Sequence, residues 1–304
     1  MNSITIHNLS KSYGDTEAVQ HLSLEVEKGE LFGLIGPDGA GKTTVFRMLT
    51  TLLLPDEGTA TIEGWDIVKD YKEIRKHVGY MPGRFSLYQD LTVEENLTFF
   101  ATVFGTTIAE NYDLIKDIYE QIKPFSNRRA GKLSGGMKQK LALCCALIHK
   151  PKVLLLDEPT TGVDVVSRKE FWEMLKKLKE QGISILVSTP YMDEASLCDR
   201  IALIQSGKVL STSTPEQIIA QYPTALYAIK APDLYALLQH LREHPDIDSC
   251  YPFGEYLHLT LKEDTNITLF QQQLKGTFPH LEWKAIIPTI EDSFIRLMEE
   301  KGNI

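Results

Sequence analysis

Apolar positions change period several times along this chain, and each change predicts an element. Residues 3–9 and Leu22-Ser23-Leu24-Glu25-Val26 alternate, as strands with one covered face do. Leu31-Phe32-Gly33-Leu34-Ile35 and Val153-Leu154-Leu155-Leu156 are continuous instead, the mark of parallel strands buried on both faces. Residues 183–187 form a third such run, with shorter strands at 59–62 and 78–80. Residues 201–204 and 208–210 predict a hairpin around Gly207. From about Leu91 the spacing becomes helical. Thr92 and Glu95 form a capping box that opens a helix over 93–104. A second helix, 112–122, is stopped by Pro124, and a third runs from Ser134 to about His149. Further helices are expected at 71–77, 167–180, 192–198 and 215–222. The one at 167–180 carries Phe171, Met174, Leu175 and Leu178 on one face. Beyond about Thr224 the order is strand, helix, strand, strand, helix, strand, over 226–230, 234–242, 248–253, 256–261, 267–274 and 283–287. That β-α-β-β-α-β succession is the ferredoxin-like order. A last helix, 290–299, has Thr289 as its N-cap.

Composition narrows the class. A hydrophobic share of 43% and a charged share of 24% are those of an ordinary globular protein. A net charge of −9 argues against a general nucleic-acid partner. The apolar run 141–148 is too short to span a bilayer. The first residues lack the basic and apolar regions of a signal peptide, so a cytoplasmic chain is expected. Cys144, Cys145, Cys198 and Cys250 form no C-x-x-C pair and are expected to be reduced.

The candidate chemistry begins at Gly36-Pro37-Asp38-Gly39-Ala40-Gly41-Lys42-Thr43-Thr44, which fits the phosphate-loop pattern G-x-x-x-x-G-K-[ST]. An apolar strand precedes it and a helical pattern follows. Backbone amides converging at a helix start favour a polyphosphate. Lys42 is placed to reach the β- and γ-phosphates, and the Thr43 hydroxyl to hold Mg²⁺. Over a hundred residues later, Asp157 and Glu158 emerge at the carboxyl end of a buried strand, the edge where α/β sheets bind ligands. Asp157 suits the second metal-binding acid, and Glu158 a general base for water.

Between these motifs stands Leu133-Ser134-Gly135-Gly136-Met137. With it, residues 2–222 resemble the nucleotide-binding subunit of an ATP-binding-cassette (ABC) transporter. The resemblance implies an α/β P-loop cassette, a mixed sheet with a helical subdomain over about 91–150, spanning residues 1–222. Residues 223–304 are then a small α+β accessory domain of ferredoxin-like order. Tyr13 matches the family's adenine-stacking aromatic residue. Thr161-Gly162-Val163-Asp164 resembles the loop that crosses the dimer interface. Ser134, Gly135 and Gly136, at a helix start, offer a second anion site. In the family this site covers the ATP held by another cassette, and closure drives membrane permease subunits. The chain is therefore expected at the cytoplasmic face of the membrane.

Departures from the family pattern shape the expectation. The family usually has Gln where this chain has Gly83, and a switch His where it has Pro190 in Ser188-Thr189-Pro190. Gln89 lies too far along to be an obvious substitute. The signature ends in Met137 instead of Gln. With Lys42, Thr43, Asp157 and Glu158 intact, ATP binding is expected, with weak turnover at this chain's own site and a heterodimer with an unlike cassette. Local runs such as 135–140 and 191–195, and the ending 287–294, resemble drug exporters of the multidrug-efflux type. The alternative is a soluble ABC-type ATPase acting on ribosomes or DNA.

Overall fold

The computed structural model describes residues 2–300. It divides into two compact units: Ile219–Arg296 is one, and the chain up to Ile218, with the segment from Leu297, is the other. Residues 1 and 301–304, which the expected domain limits include, lie outside the described residues.

The first unit opens with β1 (Asn2–Tyr13) and β2 (Thr16–Glu27), an antiparallel hairpin. Both strands outrun their alternating apolar stretches. Residues 10–13 and 16–21 are mostly polar, yet they pair through the backbone. There follow β3 (Leu31–Ile35), α1 (Lys42–Leu49), β4 (Glu57–Ile62), β5 (Trp65–Asp66), α2 (Tyr71–His77) and β6 (Val78–Met81). The helical stretch holds α3 (Val93–Val103), α4 (Tyr112–Ile122) and α5 (Gly135–Leu147). The Thr92–Glu95 capping box is formed, with the Glu95 amide donating to Thr92 Oγ1 at 3.1 Å and the Thr92 amide to Glu95 Oε2 at 2.8 Å. Then come β7 (Val153–Asp157), α6 (Val165–Glu180), β8 (Ser184–Thr189), β9 (Arg200–Gln205), β10 (Lys208–Ser213) and α7 (Pro215–Ala220).

Among the described residues the main sheet has the order β10-β9-β3-β8-β7-β6. It is parallel except for β10, which pairs antiparallel with β9. The N-terminal sheet, β2-β1-β4-β5, is antiparallel. Every residue of β3, β7 and β8 is buried, as their continuous apolar runs predict. Phe32, Leu34, Phe46, Leu155 and Leu186 lie in the core cluster shared with β1, β2 and β4. Register places Ile35 beside Thr189 and Asp157 beside Ser188. The loop after β3 and the carboxylates after β7 thus emerge at one sheet edge.

Two expected helices differ. α6 begins at Val165, earlier than predicted, because Asp164 Oδ1 accepts from the Ser167 amide at 3.0 Å and caps the extra turn. Residues 192–197 form a 3₁₀ turn instead of an α-helix. Glu194 and Ala195 are drawn into the interior there, which tightens the winding.

The second unit holds β11 (Leu226–Lys230), α8 (Leu234–Arg242), β12 (Ile247–Phe253), β13 (Tyr256–Leu261), α9 (Ile267–Thr277) and β14 (Glu282–Ile286), followed by α10 (Ile290–Glu300). The expected order of elements is present. Its sheet runs β12-β13-β11-β14 with antiparallel neighbours throughout. Ile229, Leu237, Leu257, Leu259 and Phe270 fill its core. Thr289 caps α10, its Oγ1 accepting from the Asp292 amide at 3.3 Å. Burial would raise the Asp292 carboxyl, but hydrogen bonds from Thr289, His258 and Tyr251 together hold it below the usual carboxylate range.

Candidate nucleotide site

The turn between β3 and α1 needs two of its glycines for distinct reasons. A Cβ at Gly36 would lie 2.2 Å from the Ile204 carbonyl oxygen. Gly41 has φ 104°, and a Cβ there would lie 2.3 Å from the Ala18 carbonyl oxygen. Because Gly41 caps α1 without a side chain, the first-turn amides of α1 remain open to an anion. Gly39, Ala40, Gly41, Lys42, Thr43 and Thr44 line a cavity of about 160 Å³ together with Ala18 and Glu158. Pro37 and Asp38 complete the loop, and the Ala40 amide donates to the Pro37 carbonyl at 3.2 Å.

Lys42 is buried at the floor. Its Nζ donates to the carbonyls of Gly36 at 2.7 Å and Pro37 at 3.0 Å. It also pairs with Glu158 Oε1 at 3.1 Å. These are acceptors that phosphate oxygens can replace.

Glu158 has φ 50°, a left-handed conformation uncommon for a side chain of this size. Its amide is held by both acceptors of one residue, the Ser188 carbonyl at 3.1 Å and Ser188 Oγ at 3.0 Å. Ser188 Oγ donates onward to Asp157 Oδ1 at 2.7 Å. The Thr43 hydroxyl also favours the ionised form of Asp157. Asp157 is only 2% exposed. Burial pushes its carboxyl above the usual carboxylate range, and the Glu158 charge adds to this against the Ser188 hydrogen bond, the Thr43 hydroxyl and Lys42. Thr43 lines the cavity, and Asp157, next in sequence to the lining Glu158, adds a second hard oxygen donor behind it. That donor set suits a divalent cation carried on a polyphosphate. Burial and the Asp157 charge also push the Tyr80 phenol up to about 12.

The desolvated carboxylate has a consequence for stability. Asn at 157 can still accept from Ser188 and carries no charge to desolvate. The nucleotide-free Asp157→Asn chain should therefore melt about 2–4 °C higher, the shift expected for ~1 kcal/mol in a unit of this size. Scanning calorimetry that gave a lower melting temperature would mean that Asp157 is already fully compensated.

Other positions fall out differently. A Cβ at Gly83 would lie 3.1 Å from the Asp157 carbonyl oxygen and 3.7 Å from Glu158 Cβ. Position 83 therefore borders the backbone of Asp157 and the Cβ of Glu158, and glycine brings no side chain there. Gln89 is engaged elsewhere: its carbonyl accepts from the Gly131 amide at 2.9 Å and its side chain lies beside Gly131. Pro190 follows β8 and has neither a polar side chain nor an N–H. Tyr13 is 47% exposed, and its hairpin meets the loop through Ala18 instead. Ser134 caps α5, accepting from the Met137 amide at 3.4 Å. Gly136 packs on Ser167, where a Cβ would lie 2.5 Å from Oγ. Ser134, Gly135 and Gly136 are not among the residues that line the cavity. The supporting residues Ser188, Thr160, Arg168 and Glu194 escaped the sequence reading. The available signal was a Ser-Thr pair ending a fully apolar run.

The family model described as ABC transporter matches residues 19–161. The probable multidrug ABC transporter ATP-binding protein YbhF of Escherichia coli (strain K12) is 43% identical over 220 residues, 72% of this chain and 38% of that protein. The chain thus spans well under half the length of that relative. The Nod factor export ATP-binding protein I of Burkholderia orbicola (strain AU 1054) is 36% identical over 301 residues, 97% of this chain and 96% of that protein. Among solved structures, the dimeric post-hydrolysis state of the ATP-binding cassette MJ0796, bound to ADP and Pi, superposes with a TM-score of 0.63 at 27% identity. That match covers 69% of this chain and 98% of the other. Likeness of this extent, over a phosphate loop and a pair of carboxylates at one sheet edge, means that the chain belongs to the ABC transporter family, as its ATP-binding relatives do.

Proposed function

We propose that this chain powers an exporter of a drug-like or other small substrate through separate permease subunits, from the cytoplasmic face of the membrane. Its relatives' names, a multidrug transporter protein and a Nod factor exporter, support export. We further propose that it pairs with an unlike cassette. The observation that carries this reading is the edge around Glu158. Position 83 borders the Asp157 backbone and Glu158 Cβ, position 190 follows the neighbouring strand, and neither residue brings a polar side chain.

In the proposed mechanism the open amides of the loop and of the first turn of α1 cradle the phosphates while Tyr13 stacks on the adenine. Lys42 leaves the Gly36 and Pro37 carbonyls and Glu158 for phosphate oxygens. Thr43 and Asp157 hold Mg²⁺, which neutralises charge on the phosphates when bound. Released from Lys42, Glu158 can accept a proton from water. Ser134, Gly135 and Gly136 serve the ATP of the partner cassette. The permease is proposed to dock in an apolar groove of about 470 Å³ that includes Tyr80, Met81, Phe85, Phe100, Phe104 and His149. Pro82 and Arg84, on either side of Gly83, also line it, so an occupant would press on the segment beside Asp157. His149 stacks on Phe104 at 3.8 Å, and burial pushes its pKa down to about 4, so it brings no charge to the groove at neutral pH.

The test is restoration. The unmodified chain should bind ATP tightly and turn it over slowly. Pro190→His should raise turnover by the chain alone about 10²-fold, the low end for a positioned proton-handling group. A rate that is already high in the unmodified chain, and rises faster than linearly with its concentration, would sink the unlike-partner reading.

A further inference from the structure

One buried carboxylate near this edge is unused by the mechanism above. Glu194, in the 3₁₀ turn after β8, is 2% exposed. Its Oε2 accepts from the Thr189 hydroxyl at 2.5 Å and the Thr160 hydroxyl at 3.1 Å. Its Oε1 pairs with Arg168 Nε at 3.0 Å. The Thr189 hydroxyl also accepts from the Tyr191 amide at 3.1 Å. Arg168 is itself held, its guanidinium lying 4.2 Å from the centre of the Tyr191 ring and pairing with Asp193 at 3.3 Å.

The sources of these partners matter more than their number. Thr160 stands two residues after Glu158, at the start of the loop that runs to Asp164. Thr189 stands one residue after Ser188, which holds the Glu158 amide and Asp157. Arg168 lies in the first turns of α6, just beyond that loop. A carboxylate needed only to close its own turn would take partners from that turn. This one takes both hydroxyls from the two segments that converge on the reacting edge. An ionised carboxylate removed from water needs such compensation, and removing one partner leaves the others unpaired. Pro190 adds no polar side chain between Thr189 and the turn.

We propose that Glu194 is a positioning residue for ATP hydrolysis. It ties the loop after Glu158 to the end of β8, and so fixes Glu158 against Ser188. It touches no substrate; it acts through Thr160 and Thr189. The inference rests on the ATPase assignment and does not require an unlike partner.

Thr160→Val is the mildest test, because it removes one hydrogen bond and leaves the Arg168–Glu194 pair and the Thr189 link in place. Glu194→Gln is the stronger companion, and Glu194→Asp the conservative control. Single-turnover hydrolysis of prebound ATP by the full chain gives a first-order rate that does not depend on how much protein is folded. The rate should fall about tenfold in Thr160→Val and further in Glu194→Gln, as small displacements of a catalytic group do, with ATP affinity within about twofold. Glu194→Asp should recover part of the loss. Should the unmodified chain be too slow to give a rate, exchange of the Glu158 amide decides, and it should quicken about tenfold in both variants. Rates or exchange within about twofold of the parent in both variants, whatever their melting temperatures, would overturn the proposal. A fast unmodified chain would instead count against the unlike-partner reading alone, since the ratio of variant to parent keeps its meaning.

Discussion

Glu158→Gln will keep ATP and lose turnover. The fall should be about 10²–10⁴-fold, the span attributed to a positioned general base. The reason lies in the backbone as much as in the side chain. Glu158 sits at φ 50° with its amide bonded to both acceptors of Ser188. Gln can take the same backbone, so the loop and the Asp157 contact should survive the change. ATP affinity should even rise. In the empty site Lys42 is paired with Glu158 Oε1 at 3.1 Å, and ATP must break that pair. The Glu158 side chain is 21% exposed, so the pair is worth about 0.5–1 kcal/mol, and its loss should tighten ATP about two- to fivefold. Single-turnover hydrolysis and titration with a fluorescent ATP separate the two effects. Turnover within tenfold of the parent would reduce Glu158 to a solvated acid at a strand end; loss of ATP binding would make it a structural residue.

Most of this site could be read before its coordinates, and the reason is local. Gly36 to Thr44 are contiguous, and Asp157 and Glu158 are marked by the apolar run they terminate. Such features depend on neighbours in sequence. The supports do not. Thr160 and Arg168 lie 34 and 26 residues from Glu194, where they meet it, and each sits in a polar stretch that reads as a solvated face. The turn at 192–197 misled for the same reason, since its winding follows from the burial of Glu194. The hairpin of β1 and β2 was undercounted because backbone pairing, not side-chain pattern, extends it. Ser134, Gly135 and Gly136 were identified by motif. Their place away from the cavity fits the proposal that they serve a second chain.

Lys42→Ala should weaken ATP binding about 10²-fold, from charge-assisted hydrogen bonds worth ~1.5–3 kcal/mol each. Among the residues that line the cavity, Lys42 is the one cation. Two further effects oppose each other. The empty site of the mutant no longer has a Lys42–Glu158 pair to break, which favours binding. Glu158, left without its cation beside the arriving phosphates, disfavours it. At 3.1 Å from Nζ and lining the cavity, the unneutralised carboxylate should outweigh the first effect. The double variant decides this. Lys42→Ala with Glu158→Gln should bind ATP about tenfold more tightly than Lys42→Ala alone, because the repulsion is gone and the two groups are in direct contact. If the double variant binds no better, Glu158 points away from the phosphates once Lys42 has left, and it could not then reach the water that attacks them.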